Sequence, residues 1–217
     1  MNPVTFTYTL ATADTDGVAK SQSGTAGTAL KMDGAFVNVG SVAVLDTTRR
    51  VSIVSVGDES SNTFTIDGYA DITATSAPVR EIITGGTAGG TVYTSLDFGQ
   101  VTSIVPTSNT ADKVEVGTNA IGSTLWKNPS TSMAPFDLNM DVDVTGTVNY
   151  TIQTTMDPFW KVLTPSYIPA VRNTAVAAAT TDATLELTSP VTGWRVLINS
   201  GTGTIAVASI QSGIANY

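Results

Sequence analysis

Residues 138–145 read LNMDVDVT and residues 148–154 read VNYTIQT. In the first stretch apolar and polar side chains alternate strictly, which places them on opposite faces of an extended chain. Gly146 and Thr147 separate the two stretches and fit a tight turn. The pattern predicts two half-buried strands joined as a hairpin, and residues 200–203 (SGTG) predict a second hairpin turn.

The same period of two runs through most of the chain. Residues 4–10 read VTFTYTL, and the other Val-, Ile- and Thr-rich segments are short and end at Gly, Asn or Asp. These segments are 35–45, 50–56, 63–66, 79–84, 91–98, 101–105, 113–116, 184–187, 193–199 and 204–210. Short strands at this spacing predict an all-β protein built from β-sandwiches. Residues 174–180 (TAVAAAT) favour a helix, over a length too short to be stable alone.

Turn-rich segments divide the chain into two predicted domains. Because residues 13–28 lack a hydrophobic period, residues 1–34 are predicted to be an N-terminal strand and an extended arm. The prediction continues with a first β-sandwich domain at 35–118, a linker rich in Gly, Ser, Asn and Pro at 119–135, and a second β-sandwich domain at 136–217. The recurrence of FTI (64–66) as YTI (150–152) fits both a divergent duplication and chance in a Thr- and Val-rich chain.

The composition argues against catalysis and metal binding. The 217 residues include no histidine and no cysteine, so the usual metal ligands and the thiolate nucleophile are missing. We therefore expect no enzyme activity, no metal and no cofactor. Charged residues make up only 13% of the chain and the net charge is −8. An acidic surface repels phosphate groups, so direct binding to nucleic acid or to a membrane surface is not expected.

Targeting segments are not predicted. Residues 1–10 lack the basic start and the continuous apolar run of a signal peptide. Nowhere does the chain approach the roughly 18 consecutive apolar residues of a membrane-spanning helix. We expect a protein that is made in the cytosol and is soluble on release.

Three polar motifs allow weaker functional interpretations. Asp141 and Asp143, with Asp137, fit a calcium site or a glycosidase carboxylate pair, but the alternation favours the solvated face of a strand. Residues 14–17 (DTDG) resemble the start of a calcium loop without its bidentate Glu. Residues 85–90 (GGTAGG) resemble a phosphate loop but carry no Lys and open no helix.

Apolar strand edges and aromatic residues form the predicted interface. The N-terminal strand and the aromatic residues of the linker and the second domain supply large contact areas. The candidate interface residues are Val4, Phe6, Tyr8, Trp126, Phe136, Trp160 and Tyr167. Arg49 and Arg50 fit either an exposed pair or a contact with acidic groups of a neighbouring subunit.

Several short motifs, taken in order, resemble structural proteins of tailed bacteriophages. They are RVSIVS (50–55), NTFTIDG (62–68), REIITG (80–85), FGQVTSI (98–104), VEVGT (114–118), GTVNYTIQ (146–153) and the segment 190–211. The resemblance covers residues 15–217 and rests on the order of the motifs. Residues 69–78 (YADITATSAP) depart from the family pattern, which has a polar segment containing Gly there.

The resemblance implies a virion component with no catalytic residues to transfer. We expect an accessory structural protein of the tail, the head-to-tail region or the capsid surface. It would form a symmetric homo-oligomer and bind other virion proteins, such as capsid, portal or tail proteins. The alternative is a receptor- or carbohydrate-binding module of a phage fibre or spike that uses exposed aromatic side chains.

Overall fold

The computed structural model describes residues 4–38, 41–74, 78–130, 133–158, 171 and 173–215. Over these ranges the chain forms 14 strands and no helix, so none is long and apolar enough to cross a membrane. The strands are β1 (Val4–Thr9), β2 (Ala19–Gln22), β3 (Val37–Asn38), β4 (Val42–Ser55), β5 (Thr63–Tyr69), β6 (Pro78–Thr84), β7 (Thr91–Pro106), β8 (Val114–Ser123), β9 (Met133–Thr145), β10 (Val148–Thr155), β11 (Asn173–Ala179), β12 (Ala183–Leu187), β13 (Gly193–Gly201) and β14 (Thr204–Ala215). The predicted all-β, sandwich-like class is confirmed.

The helical preference of residues 174–180 is overridden by sheet pairing. This segment forms β11, which pairs antiparallel with β10. The Ala178 N–H donates to Thr151 Oγ1 at 3.2 Å, and Asn149 Nδ2 donates to the Ala178 carbonyl at 3.1 Å. The helix prediction is therefore wrong, because tertiary hydrogen bonds outweigh the weak propensity of a few alanines.

The described strands pair in a sheet of four and a sheet of ten. The chain itself divides into two compact units. The described part of the C-terminal unit comprises residues 4–10, 123–130, 133–158, 171 and 173–215, and that of the N-terminal unit comprises residues 11–38, 41–74 and 78–122. The domain bounds and the linker at 119–135 remain predictions; within that stretch β8 runs on to Ser123 and β9 begins at Met133.

The C-terminal unit contains the four-stranded sheet, in the order β1-β14-β9-β12, and the strands β11-β10-β13. Its core holds buried apolar side chains from both sets of strands, including Val142 and Val207 from one and Ile152 and Val196 from the other. Val142 lies opposite Val207, and Ile152 lies opposite Val196. Two sheets therefore pack face to face over one core, as in a β-sandwich.

The two predicted hairpins in this unit are wrong. β9 pairs with β12 and β14, whereas β10 pairs with β11 and β13, so residues 146–147 join one sheet to the other. The turn between β13 and β14 also changes sheet. The reason is that alternation fixes which face of a strand is buried but not its partner. The two corners contact each other, because the Gly203 N–H donates to the Thr147 carbonyl at 2.9 Å.

The N-terminal unit contains the strand order β8-β4-β7-β5-β6, with β2 beside β8 and β3 beside β4. Its core includes Val51, Phe64, Ile66 and Ile104, all fully buried. β4 and β7 are long strands, and each includes segments that the sequence pattern separates. Part of the predicted arm is ordered against this core, because Val18 is fully buried within it. Packing of residues 1–34 on an adjacent subunit remains a prediction.

Candidate functional site

Strand β1 lies at an edge of the four-stranded sheet, with β14 as its hydrogen-bonded neighbour. Its inward row of apolar side chains changes from exposed to buried along the strand. Val4 is 66% exposed, Phe6 and Tyr8 are half-buried, and Leu10 just beyond the strand is 0% exposed. Since one end of this row leaves the core, the edge strand presents apolar surface to solvent.

Phe6 is held between an aromatic ring and a cation. Its ring centroid lies 5.6 Å from that of Trp194 at an interplanar angle of 40°. Lys127 Nζ lies 5.1 Å from the Phe6 centroid, within the range of a cation–π interaction. A short antiparallel bridge places Lys127 there, because the Lys127 N–H donates to the Trp194 carbonyl at 2.7 Å and the Trp194 N–H donates back at 3.0 Å.

Trp126 makes a second cation–π interaction. The Arg195 guanidinium carbon lies 4.7 Å from the Trp126 ring centroid. Arg195 Nε donates to Gln153 Oε1 at 2.8 Å, and its Nη1 donates to Ser123 Oγ at 3.2 Å. The Tyr8 hydroxyl donates to the Ser123 carbonyl at 3.1 Å. Both hydrogen bonds at Ser123 therefore link β1 to the Trp126–Arg195 pair.

These contacts define an aromatic–cation cluster, which consists of Phe6, Tyr8, Trp126, Lys127 and Arg195. It brings together three of the residues predicted from the sequence, Phe6, Tyr8 and Trp126, and a fourth, Val4, lies two residues before Phe6 on β1. Lys127 and Arg195 were not predicted. A sequence signal for them exists, since a basic residue follows both Trp126 and Trp194. Leu125 lies next to Trp126 in the sequence and is 45% exposed. It was not predicted either, because the surrounding turn-rich segment shows no hydrophobic periodicity.

The remaining predicted interface residues lie elsewhere. Phe136 is 7% exposed and belongs to the core of the C-terminal unit, which leaves little of its ring to offer a partner. Trp160 and Tyr167 lie outside the described residues. Participation of all seven predicted residues in an interface remains a prediction.

The three polar motifs lie on strand β9 and in two connecting segments of the described chain. Asp141 and Asp143 are exposed on β9, as expected for the solvated face of a strand. The Asp14 carboxylate accepts the Asp16 N–H at 3.3 Å, a local turn contact. Residues 85–90 join β6 to β7, and no helix follows them. Among the described residues, no group of three or more Asp and Glu side chains is placed to hold a metal ion.

Arg49 and Arg50 form ion pairs within the N-terminal unit. Arg49 is fully buried, with Nη1 2.9 Å from Asp46 Oδ1 and Nη2 donating to the Ala11 carbonyl at 2.5 Å. Arg50 Nε lies 4.0 Å from Asp97 Oδ1. The predicted exposed pair or intersubunit contact is therefore wrong for Arg49. Its guanidinium fork instead fixes the backbone just after β1.

Comparisons with known proteins assign the chain to no family. No family model matches the chain, and no curated protein matches it. The crystal structure of the infectious bursal disease virus VP2 subviral particle is 12% identical, with a TM-score of 0.18, over 96% of this chain and 72% of that chain. The structure of the infectious bursal disease virus Gt strain is 11% identical, with a TM-score of 0.16, over 100% of this chain and 78% of that chain. At these values neither similarity supports a conclusion about fold or function.

Proposed function

We propose that this protein is a structural component of a viral particle, and more narrowly an accessory structural protein of a tailed-bacteriophage virion. The observation that carries the proposal is edge strand β1, whose apolar row leaves the core at Val4 beside the aromatic–cation cluster. The ordered motifs, which resemble those of tailed-phage structural proteins, support the narrower form. The protein would be made in the host cytoplasm and incorporated into the virion.

The proposed mechanism is mechanical. An edge strand pairs with strands of other chains unless it is covered, and symmetric assemblies use such edges. Aromatic and Arg side chains dominate the binding energy of many interfaces, and the aromatic–cation cluster supplies both types. A specific interface would bury on the order of 1,000 Å² or more, so the cluster would form its centre rather than its whole area. Partners would be further copies of this chain and capsid, portal or tail proteins.

The test is the mass of the purified protein in solution, measured by light scattering alone and with portal and capsid proteins. We expect discrete multimers, or co-assembly with a virion partner. Val4→Asp should shift the mass toward the monomer, because it puts a charge on the exposed end of the apolar row. Thr5→Asp is the matched control, since Thr5 is an exposed neighbour on the opposite face of β1 and the added charge is the same.

Two outcomes would overturn the proposal. One is a wild-type protein that stays monomeric and binds neither portal nor capsid protein. The other is equal dissociation of the multimer by Val4→Asp and Thr5→Asp. That result would show that the inward-facing apolar side chains of β1 do not contribute to the interface. A monomer whose Trp fluorescence responds to host polysaccharide would support the alternative, a receptor- or carbohydrate-binding module.

A further inference from the structure

A groove of about 500 Å³ lies on the four-stranded sheet of the C-terminal unit. It crosses three neighbouring strands, β14, β9 and β12. The register aligns the side chains that line it in two rows, Ala208–Asp141–Thr184 and Ile210–Asn139–Glu186. Along β9, the alternate residues Met140 and Val142 are buried in the core, so the groove opens on the outer face of the sheet.

The groove has an apolar side along β14. Ala208 contributes only a methyl group and so leaves depth between the strands, and Ile210 is 41% exposed. A side chain of this size gains free energy when a partner covers it. The apolar side therefore favours a partner that carries apolar residues as well as charge.

The other side of the groove carries negative charge that the described residues do not neutralise. Asp141 and Glu186 line it, and Asp143 follows on the same face of β9. All three residues are exposed, and their carboxylates make no hydrogen bond or ion pair to another described residue. The two described cations of this unit, Lys127 and Arg195, stack on Phe6 and Trp126. The outer face is consequently acidic, with an apolar margin.

The spacing of these carboxylates matches an extended chain. Asp141 and Asp143 are two residues apart on one strand, about 7 Å. Asn139 lies opposite Glu186 and Asp141 opposite Thr184, so Glu186 is a diagonal neighbour of Asp141 at about 7–8 Å. Side chains on one face of an extended segment repeat at the same interval. The carboxylates are thus spaced for separate cationic side chains.

We propose that this groove binds an extended cationic segment of another protein, in which Lys or Arg residues alternate with apolar residues. The cations would lie against Asp141, Asp143 and Glu186, and an apolar side chain would cover Ile210. A second copy of this chain is a poor occupant, because its net charge of −8 repels an acidic face. The inference is independent of the proposed function, since it concerns the outer face of the sheet.

The test measures fluorescence anisotropy of a labelled peptide of alternating Lys and Val on the full-length protein, at low and at high salt. A peptide of alternating Glu and Val is the control probe. We expect saturable binding of the Lys peptide that weakens with salt, and no binding of the Glu peptide. Asp141→Asn combined with Glu186→Gln should weaken binding about tenfold or more, the equivalent of about 1.4 kcal/mol.

Two further variants separate groove binding from general charge attraction. Asp16→Asn combined with Glu115→Gln removes the same charge from the N-terminal unit and should leave the affinity within about twofold of the wild type. Ala208→Phe fills the groove without a change of charge and should weaken binding. Absence of saturable binding, equal losses in both charge variants, or unchanged affinity in Ala208→Phe would overturn the proposal. Urea unfolding verifies that each variant is folded. The multimer mass of the Asp141/Glu186 variant should equal that of the wild type, which shows that a loss of peptide binding does not arise from a loss of the assembly proposed for β1.

Discussion

Gly201 lies at a corner where the chain passes from one sheet of the C-terminal unit toward the other. Its φ is +94°, a value that side chains other than glycine rarely adopt. A Cβ atom added there would overlap the Thr147 carbonyl oxygen and would lie 2.8 Å from Val148 Cα. Gly146, at the adjacent corner, also has a positive φ of +83°, but its added Cβ would meet its nearest atom, Gly203 Cα, at 3.4 Å. Gly201→Ala and Gly146→Ala therefore differ chiefly in steric overlap.

The expected magnitudes follow from three contributions to the free energy of unfolding. Both variants place alanine in a left-handed conformation, at about 1–2 kcal/mol. Both recover about 0.4–1 kcal/mol, because alanine restricts the unfolded chain. Gly201→Ala also forces backbone atoms apart, which costs about 1–3 kcal/mol in a packed site. We expect Gly201→Ala to lower the free energy of unfolding by about 2–4 kcal/mol and Gly146→Ala by about 1 kcal/mol.

Urea denaturation measures both values. Tryptophan fluorescence is a suitable signal, because Trp194 is 3% exposed in the core of the same unit and its surroundings change on unfolding. Equal m-values for the two variants would show that the same unit unfolds in each case. If the two variants lose the same stability to within about 0.5 kcal/mol, the close approach of the corners does not constrain Gly201 and the reasoning fails.

Two further predictions concern buried groups. Arg49→Lys should lower the free energy of unfolding by about 3 kcal/mol, since lysine has no fork to contact both Asp46 and the backbone. Arg80→Lys, at an ion pair whose arginine side chain is 54% exposed, should lower it much less, because water screens an exposed ion pair. Equal losses of the two variants in urea denaturation would refute the assignment of Arg49. Burial, and then the charge of Asp182, raises the pKa of the Tyr150 hydroxyl above its ordinary value of 10.0. The folded state therefore holds this proton more tightly than the unfolded state. The contribution of this difference to the free energy of unfolding is fully present below about pH 10 and is lost as the pH rises toward the folded-state pKa. Tyr150→Phe should abolish that part of the alkaline loss in denaturation curves recorded across this range, and superimposable pH profiles for the two proteins would contradict the prediction.

The sequence predicts the class of fold well, because the alternation of side chains is a local property. Met140 and Val142 are buried while Asp141 and Asp143 are exposed, as the period of two requires. The pattern does not identify strand partners. β9 and β10 bury their inner faces against one core whether they pair with each other or with strands of separate sheets, so the corner at Gly146 resembles a hairpin in sequence.

The aromatic–cation cluster could be predicted only in part. Its aromatic members were candidates because their large apolar surfaces need either a core or a partner. Its cations were not, because their contacts join distant parts of the chain: the Tyr8 hydroxyl bonds a carbonyl 115 positions away, and Arg195 bonds Ser123 across 72 positions. Such pairings depend on strand order, which short-range periodicity does not encode.

The pairing of β1 with β14 imposes an order on synthesis. The Ser209 hydroxyl donates to the Val4 carbonyl across 205 positions, so β1 leaves the ribosome well before β14 and has to wait for it. At about 5–20 residues per second, that wait is roughly 10–40 s. The described residues of the N-terminal unit all lie between Ala11 and Gly122, so they leave the ribosome before β9 to β14 and can begin to fold during this interval. A nascent chain thus carries a folded unit beside an unpaired strand, and on a crowded polysome the strand's first available partners are neighbouring nascent chains.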